Sequence, residues 1–160
     1  MDDPVTNQIN AGCYVFHPRV LATISLGKVV SVERETFPQL VSNGAKIYGY
    51  LENAYWLDIG TPKALLKAST DIVLRSGPGL VLPDAQVDST AVISGGSCIG
   101  RGSSVGAGTQ IIGSIVEAGV QIGRDVVIEN SFVATGAIVD DGAKIGSTFV
   151  TKEEILPIPA

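Results

Sequence analysis

The side chains of this sequence that could do chemistry sit mainly in its first sixty residues. Asp58 follows Trp56-Leu57 at the end of an expected strand, and Gly60-Thr61-Pro62 opens the next helix. A carboxylate there can give a hard oxygen to a divalent cation, which is typically held by one or two carboxylates together with substrate phosphates. Read from spacing alone, an Asx turn or a helix cap is the favoured role for it. Asn10 carries an amide, with donors and an acceptor on one group. Its competing role is a turn at the start of a strand. Glu33 lies in the first turn of an expected helix, where the helix dipole would stabilise a carboxylate whether or not it meets a ligand. Glu35 reads as its solvated neighbour, and Trp56 as a core side chain. The single histidine, His17, precedes Pro18 and reads as an exposed loop residue. Cys13 and Cys98 lie far apart without metal-ligand spacing, so two free thiols in a reducing cytoplasm are expected.

Composition narrows the classes of function. The net charge is −5 and no Lys/Arg cluster interrupts it. Nucleic acid and anionic membrane are therefore not expected as partners. No apolar run approaches the roughly 20 residues needed to span a bilayer. Met1-Asp2-Asp3-Pro4 has neither the basic nor the apolar region of a signal peptide.

The elements that must position these residues come in two kinds. Residues 1–76 read as α/β material. Strands are expected over 9–16 and 46–51, and helices over 18–24, 33–41 and 62–74, with Ser31 and Thr61 as N-caps. Pro18 and Pro62 suit first helical turns. No glycine-rich loop followed by basic residues occurs there, so a complete nucleotide-binding domain is not expected and the chain reads as beginning within one. Ser76-Gly77-Pro78-Gly79 breaks the pattern, and the boundary is placed there.

Residues 77–160 carry a repeat. Aliphatic residues recur at steps of six, sometimes five: Val81, Val87, Ile93, Ile99, Val105, Ile111, Val116, Ile122, Ile128, Val133, Val139, Ile145 and Val150. Small residues follow many of them four places on, as at Ala85, Ser97, Ser103 and Thr109; Val120, Val126 and Phe132 are larger exceptions. Ser97, Ser114, Ser131 and Thr148 are 17 apart. A helix would need apolar positions near every 3.6 residues, and a long strand every two. Units of six fit short strands joined by corners, stacked as coils around a shared interior. About four coils are expected, with Ile99, Val116, Val133 and Val150 in one column.

Three motifs occur in order before the repeat: Asn10-Ala11-Gly12-Cys13-Tyr14-Val15-Phe16, Ser31-Val32-Glu33-Arg34-Glu35-Thr36-Phe37-Pro38, and Tyr55-Trp56-Leu57-Asp58-Ile59-Gly60-Thr61-Pro62. They resemble the later motifs of bacterial sugar-1-phosphate nucleotidyltransferases, nearest to mannose-1-phosphate guanylyltransferases. The repeat resembles the hexapeptide-repeat family, which implies a left-handed parallel β-helix. The resemblance further implies transfer of a nucleotidyl group from a nucleoside triphosphate, GTP favoured, to a sugar 1-phosphate, mannose 1-phosphate favoured, with Mg²⁺ as cofactor. By the same resemblance Asp58 matches a metal-binding and catalytic position. Asn10, with Ala11 and Gly12 allowing close approach, matches a sugar-hydroxyl site, and Glu33 matches a carboxylate accepting from the sugar. The family's glycine-rich loop, its basic residues and its first metal Asp have no counterpart here, so the chain alone is expected to be inactive.

Two other functions compete. A hexapeptide-repeat acyltransferase would need a histidine base in or beside the coils, and residues 77–160 contain none. A non-catalytic assembly or regulatory subunit could share the architecture. The expected coil ends are guarded, by Thr151–Glu154 with Pro157 and Pro159 at one end and by the helix after Thr61 at the other. Homo-oligomers through the flat outer faces follow as the expected assembly.

Overall fold

The computed structural model describes residues 6–159, so Met1–Pro4, read above for a leader pattern, lie outside the described residues. The chain divides into two compact units, one ending at Trp56 and one beginning at Leu57.

The first unit holds short helical pieces. Helix α1 spans Pro18–Leu21; His17 precedes it as N-cap and its Nδ1 accepts from the Arg19 N–H at 3.3 Å. A π-helical turn over Val32–Thr36 runs directly into α2, Phe37–Ser42. Ser31 caps this turn as expected, its hydroxyl accepting from the Arg34 N–H at 3.2 Å. The reciprocal bond comes from Glu35, whose Oε1 accepts from the Ser31 N–H at 3.0 Å. Glu35 is thus a capping side chain and not merely a solvated neighbour, as in a capping box widened by one residue.

The strands expected over 9–16 and 46–51 do not form among the described residues. A strand is stable only when its N–H and C=O groups find a neighbour. The alternation is present, but no partner strand lies within the described residues, and Val15 (99%), Tyr48 (84%) and Tyr50 (88%) stay exposed.

The second unit opens with α3, Pro62–Leu74, capped by Thr61, whose Oγ1 accepts from the Ala64 N–H at 3.2 Å. Four coils of three short strands follow. The first holds β1 (Gly79–Val81), β2 (Gln86–Val87) and β3 (Val92–Ser94); the second β4 (Ser97–Ile99), β5 (Ser104–Val105) and β6 (Gln110–Ile112). The third holds β7 (Ile115–Val116), β8 (Gln121–Ile122) and β9 (Val127–Glu129); the fourth β10 (Phe132–Val133), β11 (Ile138–Val139) and β12 (Lys144–Gly146). Strands β13 (Thr148–Val150) and β14 (Ile155–Pro157) end the chain. Corresponding strands pair in parallel and build three sheets, β1-β4-β7-β10-β13-β14, β2-β5-β8-β11 and β3-β6-β9-β12.

The expected column is present: Ile99 pairs with Val116, Val116 with Val133, and Val133 with Val150. These join Ile111, Ile128 and Val139 in one buried core. The first coil departs from the 17-residue period. Val81 pairs with Ile99, Val87 with Val105 and Ile93 with Ile111, each a step of 18. The extra residue is a second glycine, Gly95-Gly96, at a corner where later coils have Gly113, Asn130 and Ser147. Gly96 has φ +81°, and a Cβ there would come 2.5 Å from the Thr70 carbonyl of α3, so only glycine lets the helix lie this close.

The small residues do more than let the chain turn. Ser97, Ser103, Thr109, Ser114 and Ser131 are buried. Each hydroxyl accepts a backbone N–H from the next coil: Ser114 N to Ser97 Oγ (3.0 Å), Ser131 N to Ser114 Oγ (3.1 Å), Thr148 N to Ser131 Oγ (3.1 Å), Val120 N to Ser103 Oγ (3.1 Å), Val126 N to Thr109 Oγ1 (3.2 Å). In the shortened corner the inward position falls on Ser131, so Phe132 is not a bulky exception to the small set. It stands on the outer face, buried, with its ring 5.9 Å from Phe149.

Helix α3 runs along the first sheet beside β1, β4 and β7, burying Leu66 and Val73. The sequence placed this helix over the first coil's edge; it flanks the sheet instead, and Val81 remains 46% exposed. At the other end the chain reverses through Thr151–Glu154, and β14 pairs antiparallel with β13, Pro157 opposite Thr148. The prolines do not prevent pairing, because β14 is an edge strand.

Candidate functional site

The residues singled out from sequence fall in both units. In the first, the π-helical turn and the Asn10–Tyr14 segment bring four of them together. The Asn10 side chain folds back on its own backbone, Oδ1 accepting from the Gly12 N–H at 2.9 Å. That Asx turn needs Gly12 at φ +71°, a conformation that side-chain-bearing residues adopt only with strain. Ala11, between them, is exposed. The turn aims Asn10 Nδ2 at two acceptors, the Tyr14 hydroxyl (2.6 Å) and Glu33 Oε1 (3.2 Å). Tyr14 in turn donates its phenolic proton to Glu33 Oε1. Glu33 reaches the cluster because its neighbour Glu35 serves as the cap.

Rings hold the phenol in place. Tyr14 meets Phe37 edge-on with centroids 5.0 Å apart, and Phe16 lies 6.0 Å from Tyr14 and 5.9 Å from Phe37. Such pairs contribute about 0.5–1.5 kcal/mol beyond area burial. The hydrogen bond to the Glu33 carboxylate, with partial burial, raises the Tyr14 phenol above its ordinary value. Asn10, donating to the phenolic oxygen itself, pulls in the opposite direction.

The cluster differs from the expectation in which atoms it offers. The Asn10 amide was to present donor and acceptor to a ligand, yet both its N–H bonds are spent inside the cluster. Glu33 Oε2 has no hydrogen-bond partner among the described residues. Tyr14 was not singled out from sequence as a site residue; the only available signal was a phenol in the same seven-residue motif.

In the second unit Asp58 is exposed and forms the Asx turn that spacing favoured, Oδ1 accepting from the Gly60 N–H at 3.1 Å. Its other oxygen has no hydrogen-bond partner among the described residues, so the turn leaves one carboxylate oxygen available. A hard, exposed oxygen on a rigid turn before a helix N-terminus fits a Mg²⁺ held by one carboxylate with phosphates. No group of three His, Cys, Asp or Glu among the described residues could hold a metal without such help. The strand expected before Asp58 is absent among the described residues, and Trp56, read as core, is 48% exposed.

The family model described as nucleotidyl transferase matches residues 2–74. The chain is 42% identical over 139 residues to a mannose-1-phosphate guanylyltransferase of Mycobacterium tuberculosis, covering 80% of this chain and 39% of that protein. It is 32% identical over 145 residues to a probable mannose-1-phosphate guanylyltransferase 2 of Arabidopsis thaliana, 81% of this chain and 39% of the relative. A mannose-1-phosphate guanylyltransferase catalytic subunit beta of Danio rerio is 38% identical over 99 residues, 56% of this chain and 27% of its own length. The chain thus spans about two-fifths of the length of the first two relatives. A match of 139 residues exceeds the segment before the coils, so it extends into the solenoid. The nucleotidyltransferase match itself stops at Leu74, the last residue of α3. Among the described residues no helix is long and apolar enough to cross a membrane.

Proposed function

We propose that the protein joins a nucleoside triphosphate to a sugar 1-phosphate and releases pyrophosphate, with this chain carrying the sugar and metal side of the site. GTP and mannose 1-phosphate are the favoured substrates, on the strength of the relatives' names. The observation that carries the reading is the Asn10–Tyr14–Glu33 cluster, which lies inside the family match and leaves a carboxylate oxygen free for a hydroxyl.

In this reaction an oxygen of the sugar phosphate attacks the α-phosphorus of the triphosphate, and the bond to the β-phosphate oxygen breaks to release pyrophosphate. Most of the catalysis is positioning and charge neutralisation. Glu33 Oε2 and the remaining lone pair of Asn10 Oδ1 accept from sugar hydroxyls. Gly12 and Ala11, without bulk, let the ring approach. Asp58 would hold Mg²⁺, which when bound would offset phosphate charge. No residue of this chain is assigned to the nucleotide. Residues 1–76 serve the catalytic domain, and residues 77–160 form an assembly module that joins copies through its outer faces. Both thiols are free, which suits a reducing cytoplasm.

Asp58→Asn in a reconstructed full-length enzyme that carries this chain tests the metal side. Turnover should fall by orders of magnitude with the fold unchanged; near-parental pyrophosphate release at saturating Mg²⁺ would remove Asp58 from the site.

A further inference from the structure

The Asn10–Tyr14–Glu33 cluster has an asymmetry in its hydrogen-bonding capacity. A carboxamide offers two donors, a phenol one, and an ionised carboxylate none. All three donors are directed inward: Asn10 Nδ2 to the Tyr14 hydroxyl and to Glu33 Oε1, and the Tyr14 hydroxyl to Glu33 Oε1. What these side chains still offer is acceptors alone, Glu33 Oε2 and one lone pair of Asn10 Oδ1.

We infer that Tyr14 is a positioning residue, fixing Glu33 so that its outer oxygen meets a sugar hydroxyl. The inference rests on the proposed sugar site and deepens it. A surface made of acceptors binds hydrogen-bond donors and repels an anion, so a phosphate is excluded from this spot on chemical grounds. Glu33 is exposed on the π-helical turn and has no other tether among the described residues than Tyr14 and Asn10. Without the phenol, the carboxylate would sample many rotamers, and ordering it would be charged against binding. Tyr14 can act as a fixed arm because its ring is wedged against Phe37 and Phe16. The raised phenol means the proton stays on Tyr14 through neutral pH. The sign follows: the bond is fully present below the ordinary tyrosine value near 10 and is lost as pH rises through the folded value.

The test has two arms. In the first, the full chain is labelled at its tyrosines and titrated by NMR. Tyr14 should titrate above the ordinary tyrosine value near 10, fall toward it in Glu33→Gln, and rise further in Asn10→Ala. A Tyr14 titration indifferent to Glu33→Gln overturns the positioning contact. In the second, mannose 1-phosphate and inorganic phosphate are titrated into the intact protein and its Tyr14→Phe variant. Tyr14→Phe keeps the ring contacts, so circular dichroism should match the parent. Its affinity for the sugar phosphate should fall about tenfold to a hundredfold, the effect of losing a bond to a charged group, while inorganic phosphate binding stays unchanged. Parental affinity of Tyr14→Phe for the sugar phosphate refutes this inference alone. No binding of mannose 1-phosphate by the parent refutes the sugar site itself, and this inference with it. An equal loss for both ligands refutes the hydroxyl assignment.

Discussion

Ser114→Ala should destabilise the solenoid through one bond that sequence periodicity does not display. The Ser114 hydroxyl donates to the Ile112 carbonyl at 2.9 Å and accepts from the Ser131 N–H at 3.1 Å. Removing it leaves the Ile112 carbonyl served, because the Asn130 N–H also donates there at 3.0 Å. The Ser131 N–H, in contrast, is fully buried and loses its acceptor. An orphaned buried donor costs about 1–3 kcal/mol. For a unit of about a hundred residues this lowers the melting temperature by roughly 4–8 °C per kcal/mol. Thr148 supplies the internal control. It ends the same column, accepting nothing from a further coil among the described residues, and its buried Oγ1 has no hydrogen-bond partner. Thr148→Val should therefore be within about 0.5 kcal/mol of the parent, or stabilising. Thermal melts of the three proteins, with hydrogen exchange at the Ser131 amide, make the comparison. If Ser114→Ala melts with the parent, or Thr148→Val is as damaging, the hydroxyl columns do not join the coils.

Val116→Asp places a carboxylate between Ile99 and Val133, all three essentially inaccessible to water, and should cost several kcal/mol; a parental melt would contradict the stacked column. Burial pushes the Cys98 thiol up, whereas Cys13 is exposed, so a thiol reagent at pH 8 should modify Cys13 quickly and Cys98 slowly, and equal rates would contradict the partial burial of Cys98.

The solenoid was legible because its physics is repetitive. One inward aliphatic per side, at steps of six and five, is enough to specify stacked coils, and the register of Ile99, Val116, Val133 and Val150 followed from it. What the period hid was local. The second corner glycine lengthens the first coil to 18 residues, and the shortened corners move the inward position from Phe132 to Ser131. The helix caps at Ser31 and Thr61 were readable because a hydroxyl beside an N-terminus has one obvious partner. The strands at 9–16 and 46–51 were not realised, since alternation supplies a face but not the neighbour that must pair with it. Within the candidate site, the resemblance of the motifs pointed to Asn10 and Glu33. Which atoms remain free depends on a three-way contact between residues up to 23 apart, and no local spacing encodes that. The Asx turn at Asp58 was legible because the residues following it, Ile59-Gly60, are those such a turn requires.

The most direct test of the sugar-side assignment is steady-state pyrophosphate release by a reconstructed full-length enzyme that carries this chain, and by its Glu33→Gln variant, with GTP and mannose 1-phosphate varied in turn. The account predicts release that depends on both substrates, and in Glu33→Gln a KM for mannose 1-phosphate raised about tenfold or more with the KM for GTP unchanged. No release with any sugar 1-phosphate, or a Glu33→Gln defect that falls on GTP, would contradict it.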